Sequence, residues 1–527
     1  MLVVTFTNAA ASEMRERILE AIYQKIEENP EDIHLQKQIT LLNKASICTI
    51  HSFCLDVIRN YFYEIDIPAN FQIGDSTEME LLKQETLEDL FEEKYIQKDE
   101  DFLKLIDIYA NYRGDEDLKE LILKIDNKIQ SNPFPKEWLE EKVEMFNLKE
   151  KLDEDFSKTI WGELILKELL EEIEENRLKL EKIFEKLKKY PELEKYALTI
   201  LNDKEQLEKI ERIINSKENT WEKVYEEIQD FHFEKWPIDR KLTIEYKNEA
   251  KELREKIKKS INATFQKLML YSSKEANETI YEMYEILASL KKIVLEFEDE
   301  FANKKKEKNK IDFHDIEHFA LKILVEKDEE GNVHPTNVAK ELQEKFEEIA
   351  IDEYQDSNLV QEYILNSVSK QNNIFMVGDI KQSIYRFREA RPELFLEKYK
   401  NYEMVRQKNK DVTKGTDATK GNVPNVTAGQ KIKLFKNFRS RAEVLNFCNW
   451  VFENIMSEKL GDVDYNEEEY LNLGTDYEKE DDRLPELHIL DFAKKEENIW
   501  KQAEEENKED DEVEEQEEQE KLEKNAE

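Results

Sequence analysis

Between Asp115 and Glu330 the chain carries a single glycine, Gly162. Glycine in a helix interior is destabilising by about 1 kcal/mol relative to alanine, so its near absence over such a length favours helix throughout. Apolar residues there recur every three or four positions, as in Leu166, Leu169, Ile173, Leu180, Ile183 and Leu187, and again in Met283, Leu287, Leu290, Val294, Phe297 and Phe301. That period lines one face of a helix. Pro133, Pro135, Pro191 and Pro237 are the main punctuation, and no strict heptad persists. An all-helical region of packed antiparallel helices is therefore expected over residues 78–310, rather than a coiled coil.

Strand signals stand on either side of it. Leu2 to Phe6 reads as a buried strand followed directly by a helix, and this βα unit opens at residue 2 as though the chain were cut inside a domain. Past Lys310, Ile349–Ile351 and residues 374–377 (I-F-M-V) read as two further buried strands, separated by a helix over Leu359 to Ser369. Strand-helix units of this length predict a parallel sheet. Residues 408–431 are polar, with Gly and Pro, and read as a surface loop; a new unit begins at Ile432 with a helix over residues 442–455.

Composition restricts the function classes. A chain of 527 residues is long enough for roughly three domains. No apolar run of about 18 residues is present and the first residues lack a secretory design, so a cytoplasmic location is the expectation. Cys48, Cys54 and Cys448 form no C-x-x-C pair and read as small core residues. The net charge of -42 gives no support for phosphate binding, but it is unevenly spread: residues 496–527 hold 16 acidic against 4 basic residues and are expected to be disordered.

Chemistry concentrates in five short blocks. In D-E-Y-Q-D, Asp352 and Glu353 follow a strand, where a carboxylate pair can hold Mg²⁺ and orient the water that attacks a γ-phosphate; an exposed strand end is the plainer alternative. Val377 to Arg388 offers Gln382 as a phosphate donor, with Tyr385 and Phe387 able either to stack on bases or to fill a core. Asn437 to Ser440 offers Arg439 as a phosphate-binding guanidinium. Near the front, Phe6, Thr7 and Asn8, then Thr49, His51 and Ser52, supply an aromatic platform and polar donors suited to sugar-phosphate contact. H-D-I-E-H, from His314 to His318, fits a zinc-helix spacing, but no third ligand accompanies it and the residues read as part of a helix leading to the 349 strand.

Taken in order, V-V-T-F-T-N-A-A-A-S-E-M-R-E-R-I, T-I-H-S-F-C, D-E-Y-Q-D-S-N, V-G-D-I-K-Q-S-I-Y-R-F-R-E-A and N-F-R-S-R-A-E-V-L resemble the UvrD-like superfamily 1 DNA helicases, and within them the AddA family of bacterial helicase-nuclease subunits. The resemblance implies an α/β fold with a RecA-like parallel sheet, N-terminally truncated and interrupted by a large helical insertion. Residues 1–77 and 311–407 would be the two parts of motor domain 1A, residues 78–310 domain 1B, and residues 432–495 the start of domain 2A. It implies ATP and Mg²⁺ as cofactors, with Asp352 on the metal, Glu353 on the water, and Gln382 and Arg439 sensing the γ-phosphate. Phe6, Thr7, Asn8, Thr49, His51, Ser52, Tyr385, Phe387 and Arg388 would face single-stranded DNA. The implied activity is 3′ to 5′ translocation and unwinding coupled to exonuclease digestion of broken ends, with AddB or a protein like it as partner.

The sequence departs from that pattern in one respect above all: none of its ten glycines is followed by lysine, so no G-x-x-x-x-G-K-[ST] phosphate cradle occurs. The motifs expected after N-F-R-S and the carboxy-terminal nuclease are missing too. The expectation is thus a fragment lacking both ends of an AddA-like chain, unable to hydrolyse ATP by itself. A truncated module that binds single-stranded DNA or the AddB-like partner is the alternative.

Overall fold

The computed structural model describes residues 1–42, 44–65, 67–110, 114–216, 220–238, 245–370, 372–404, 429–475, 477 and 484–489. Of the loop expected over 408–431 only the last three residues fall among these, and the acidic tail over 496–527 lies outside them. The described residues divide into two units, one from within 1–379 and 383–395, the other of 380–382 and those described from 396 to 489.

In the first unit β1 (Leu2–Thr5) leads into α1 (Asn8–Glu28) and α2 (Ile33–Leu42); β2 (Ser46–Thr49) leads into α3 (Ile50–Tyr61) and the short β3 (Gln72–Ile73). Nine α-helices follow among the described residues: α4 (Ser76–Gln97), α5 (Glu100–Tyr109), α6 (Glu116–Ile129), α7 (Pro135–Glu144), α8 (Ile160–Leu187), α9 (Glu194–Ser216), α10 (Thr220–Asp230), α11 (Glu245–Leu268) and α12 (Ser273–Glu307). The chain then returns through β4 (Lys310–Ile311) and α13 (Phe313–Leu324), a hairpin of β5 (Val325–Lys327) and β6 (Val333–Pro335), and α14 (Asn337–Lys345). Last come β7 (Ile349–Ile351), α15 (Leu359–Ser367) and β8 (Ile374–Met376).

The sheet has the order β2-β1-β7-β8 and every pairing is parallel. Alternating side chains leave its two faces separately, and both are covered, as parallel sheets require. Leu2, Val4, Ile349 and Ile351 pack with Phe53, Cys54 and Ile316 of α3 and α13. Val3 and Ile47 pack the other way, against Ala11 and Leu42 of α1 and α2. β8 departs from the buried strand expected at 374–377: it ends at Met376, has a single neighbour, and leaves Phe375 62 % exposed. It is an edge strand.

The helices build two further cores. α4 to α7 bury Leu82, Leu90, Phe102 and Ile122 against Val294 and Phe297 of α12. α8 to α11 bury Leu169, Ile173, Leu180 and Leu187 with Ile200, Val224 and Ile261. The 35-residue α12 starts in the second core at Ala276 and ends in the first; its N-terminus carries a full capping box between Ser272 and Glu275. Of its expected apolar stripe only Met283 is exposed. Within the α8–α11 core Arg254 reaches Asp203 through Nε at 2.6 Å and Nη2 at 3.1 Å, and donates to Glu234 O, while Phe233 and Trp236 flank its guanidinium. Both charged groups are fully buried, and burial raises the Asp203 carboxyl above its ordinary range despite the arginine.

α16 (Pro392–Asn401) runs across the division. In the second unit β9 (Glu403–Met404) pairs with β10 (Gln430–Lys431), and β11 (Lys436–Asn437) with β12 (Asn472–Leu473). α17 (Ala442–Ile455) lies between them in sequence and buries Leu445. Lys381 and Tyr399 both meet Glu469 there, at 3.0 and 2.7 Å, and Lys433 lies beside Glu468 and Glu469.

Candidate functional site

Parallel pairing brings the carboxyl ends of all four strands to one edge, because Thr5 stands opposite Thr49 and Val4 opposite Ile351. That edge is where open α/β sheets hold ligands. Asp352 leaves β7 there, its backbone N–H donating to Val4 O at 2.9 Å. Its Oδ1 accepts the backbone N–H of Glu353 at 3.1 Å. Burial raises the Asp352 carboxyl above its ordinary range, and the neighbouring charge of Glu353 pushes the same way. A cation would relieve both effects, and Mg²⁺ needs only one or two protein carboxylates because it keeps most of its waters.

Glu353 sits at φ +50°, a left-handed conformation that costs a non-glycine residue about 1 kcal/mol or more. The turn it makes is held from several sides. Tyr354 N–H donates to Val377 O at 2.9 Å, and the buried Tyr354 hydroxyl donates to Glu362. Gln355, which no sequence motif singles out, donates through Nε2 to Glu353 Oε2 at 2.7 Å and accepts the Asp379 N–H at 3.0 Å. One amide thus fixes the second carboxylate and joins the D-E-Y-Q-D turn to the loop after β8. Gly378 makes room for it, since a Cβ there would come within 2.5 Å of Gln355 Oε1. Burial, with Glu353 adding to it, pushes the Asp356 carboxyl up to about 6, and its Oδ1 is buried without a hydrogen-bond partner.

Phe6 leaves β1 at the same edge, 42 % exposed, and its ring centroid lies 4.9 Å from that of Tyr385. Tyr385 lies 6.0 Å from Phe387, which is 74 % exposed, and the Arg388 guanidinium stands about 5.5 Å from both rings. Residues separated by almost the whole length of the unit therefore form one surface of three rings and a cation. Asn8 is exposed beside it at the start of α1. Thr7 caps that helix, its Oγ1 accepting from Ala10 N–H at 3.1 Å.

The second polar block is held more tightly. Thr49 caps α3 through Ser52 N–H at 3.3 Å, is buried, and lies 2.9 Å from the Ser52 hydroxyl. His51 is partly exposed, edge-on to Phe313 and 3.4 Å from Glu317. Glu317 belongs to the H-D-I-E-H segment, whose histidines turn inward: burial lowers both imidazoles, and His318 Nε2 lies 2.8 Å from Gln130 O.

Gln382 and Arg439 belong to the second unit. Gln382 is exposed and closes a short helical turn from Ile380. Asn437 Oδ1 accepts the N–H groups of both Arg439 and Ser440 at 2.9 Å, an Asx turn that leaves Arg439 exposed.

A small parallel sheet flanked by helices, with a carboxylate pair at its carboxyl edge and an exposed aromatic and cationic surface beside it, defines an α/β architecture. The model of the UvrD/REP helicase N-terminal domain matches residues 1–403, and the chain belongs to that family. It is 43 % identical over 510 residues to the A-subunit of the ATP-dependent helicase/nuclease from Clostridioides difficile strain 630, covering 93 % of this chain and 38 % of that protein. The proteins of the same name from Ruminiclostridium cellulolyticum and Thermoanaerobacter sp. strain X514 are each 42 % identical, over 90 % and 94 % of this chain and 37 % and 39 % of their own lengths. The chain thus spans about two fifths of the length of the curated relatives it matches. No helix among the described residues is long and apolar enough to cross a membrane.

Proposed function

We propose that this chain is the part of an ATP-dependent DNA helicase and exonuclease that reads the nucleotide and grips single-stranded DNA. The whole protein moves 3′ to 5′ along one strand, unwinds and trims broken duplex ends for recombinational repair, and works with an AddB-like partner. The observation that carries this reading is the joining of Phe6, Tyr385, Phe387 and Arg388 into one exposed surface at the sheet edge that also bears Asp352 and Glu353. Successive bases stack on such rings irrespective of sequence, and the guanidinium suits the phosphates between them.

Bound ATP would bring Mg²⁺ to Asp352, while Glu353, fixed by Gln355, would orient the attacking water. Gln382 and Arg439 would contact the γ-phosphate. Asn8, Thr7, Thr49, His51 and Ser52 would serve the DNA backbone, the buried Thr49 chiefly by shaping the start of α3. Residues 1–77 and 311–407 are assigned to one motor domain, 78–310 to its helical insertion and 432–495 to the start of a second.

By itself the 527-residue polypeptide is expected not to hydrolyse ATP, because it has no glycine-lysine phosphate cradle. DNA-stimulated hydrolysis by the purified chain that disappears in Glu353→Gln would refute that expectation. Salt-dependent binding without hydrolysis would favour the second reading, a module that holds DNA or a partner protein, which the grouping of Phe6, Tyr385, Phe387 and Arg388 supports.

A further inference from the structure

Glu317 is 7 % exposed and sits one helical turn from Phe313 on α13, so both side chains leave the same face. A buried carboxylate is tolerated only when its oxygens are matched by donors. Here Oε2 accepts from Asn358 Nδ2 at 3.0 Å and Oε1 from Gln361 Nε2 at 2.8 Å, while His51 Nε2 approaches Oε1 at 3.4 Å. Asn358 caps α15, its Oδ1 accepting Gln361 N–H at 2.8 Å. These two residues open the helix that follows the D-E-Y-Q-D turn. His51 lies in the first turn of α3, with Phe313 against its ring.

One carboxylate therefore spans two helix N-termini, one next to the Mg²⁺ and water carboxylates and the other carrying a residue assigned to DNA. We infer that Glu317 is a positioning residue: it holds the His51 imidazole against the start of α15, so that the His51 contact with single-stranded DNA and the placement of the D-E-Y-Q-D turn depend on each other. The link to DNA rests on the proposed role of His51; the bridge itself rests on the two hydrogen bonds to Asn358 and Gln361 and on the 3.4 Å approach of His51.

The test uses the purified 527-residue chain with Glu317→Ala, His51→Ala and the double variant, and Glu317→Gln as a variant that keeps size and one acceptor. Amide exchange by mass spectrometry should speed up about tenfold or more in Glu317→Ala, in peptides over both 49–55 and 357–362. In Glu317→Gln the change should be smaller. Affinity for a fluorescent oligo-dT strand should fall about fivefold in Glu317→Ala and in His51→Ala, and no further in the double variant, because the two act as one unit. Unchanged exchange over 49–55 in both Glu317 variants would overturn the bridge. Additive losses in the double variant would overturn the coupling. Faster exchange in both peptides with His51→Ala leaving affinity untouched would instead overturn the assignment of His51 to DNA, and with it the coupling, while the bridge stands.

Discussion

Asp356 and Phe6 carry the sharpest consequences at the level of single residues. A carboxyl raised to about 6 binds its proton more tightly in the folded chain than in the unfolded one. Between roughly pH 4 and 6 the folded state then holds the extra proton, and stability falls as pH rises through that window. Water still reaches one side of Asp356, so the effect is discounted to about 1 kcal/mol. Asp356→Asn should flatten this part of the curve and raise the denaturant midpoint at pH 7; an unchanged slope between pH 4 and 6 would contradict it. Phe6→Ala and Tyr385→Ala should each weaken binding of single-stranded DNA by about 1–3 kcal/mol, read by fluorescence anisotropy, with less loss of stability in the exposed Phe6 than in the half-buried Tyr385. Their cycle should be non-additive, since the rings touch.

Turns and short strands set which of these residues meet, and they were the least legible elements. β1 and β7 stand out in sequence as short apolar runs rich in Val and Ile, and the helices by their period, because burial on a defined face leaves a repeat. β2 has four residues, S-I-C-T, with burial alternating between partial and complete, too short a pattern to separate from a helix start. The β5–β6 hairpin turns through Gly331 at φ +84° and is organised by Asp328, which accepts from the Asn332 N–H at 2.8 Å; its strands are three residues each. The roles of Gln355 and Glu317 leave no trace in a pattern, since their partners come from other segments brought close by the sheet. That Asp352, Glu353, Phe6 and Tyr385 stand at the carboxyl edge of the sheet was legible because their blocks follow strands. Gly378→Ala tests this level: with Gln355 buried and unable to retreat, the added Cβ should lower stability by about 1–3 kcal/mol and loosen Glu353, checked by a denaturant midpoint.

On the scale of the molecule the first unit has a sheet core and two helical cores, and such a chain should not unfold in a single step. Arg254→Ala removes the partner of a buried carboxylate in the α8–α11 core and should destabilise that core by about 3–5 kcal/mol. Followed by the fluorescence of Trp221 and Trp236, its transition should move to lower denaturant while amide exchange in β1 and β7 stays slow. A shared shift of both would show one cooperative unit instead. The pairing of Leu2 with Ile349 also bears on synthesis: β1 leaves the ribosome about 350 residues before its central neighbour exists. At about 5–20 residues per second that wait is on the order of 20–70 s, during which one long edge of β1 is unmatched. A nascent chain halted anywhere within the helical region would hold an apolar strand pair with nothing to close it, so β1 and β2 are the segments expected to need chaperone cover until β7 emerges.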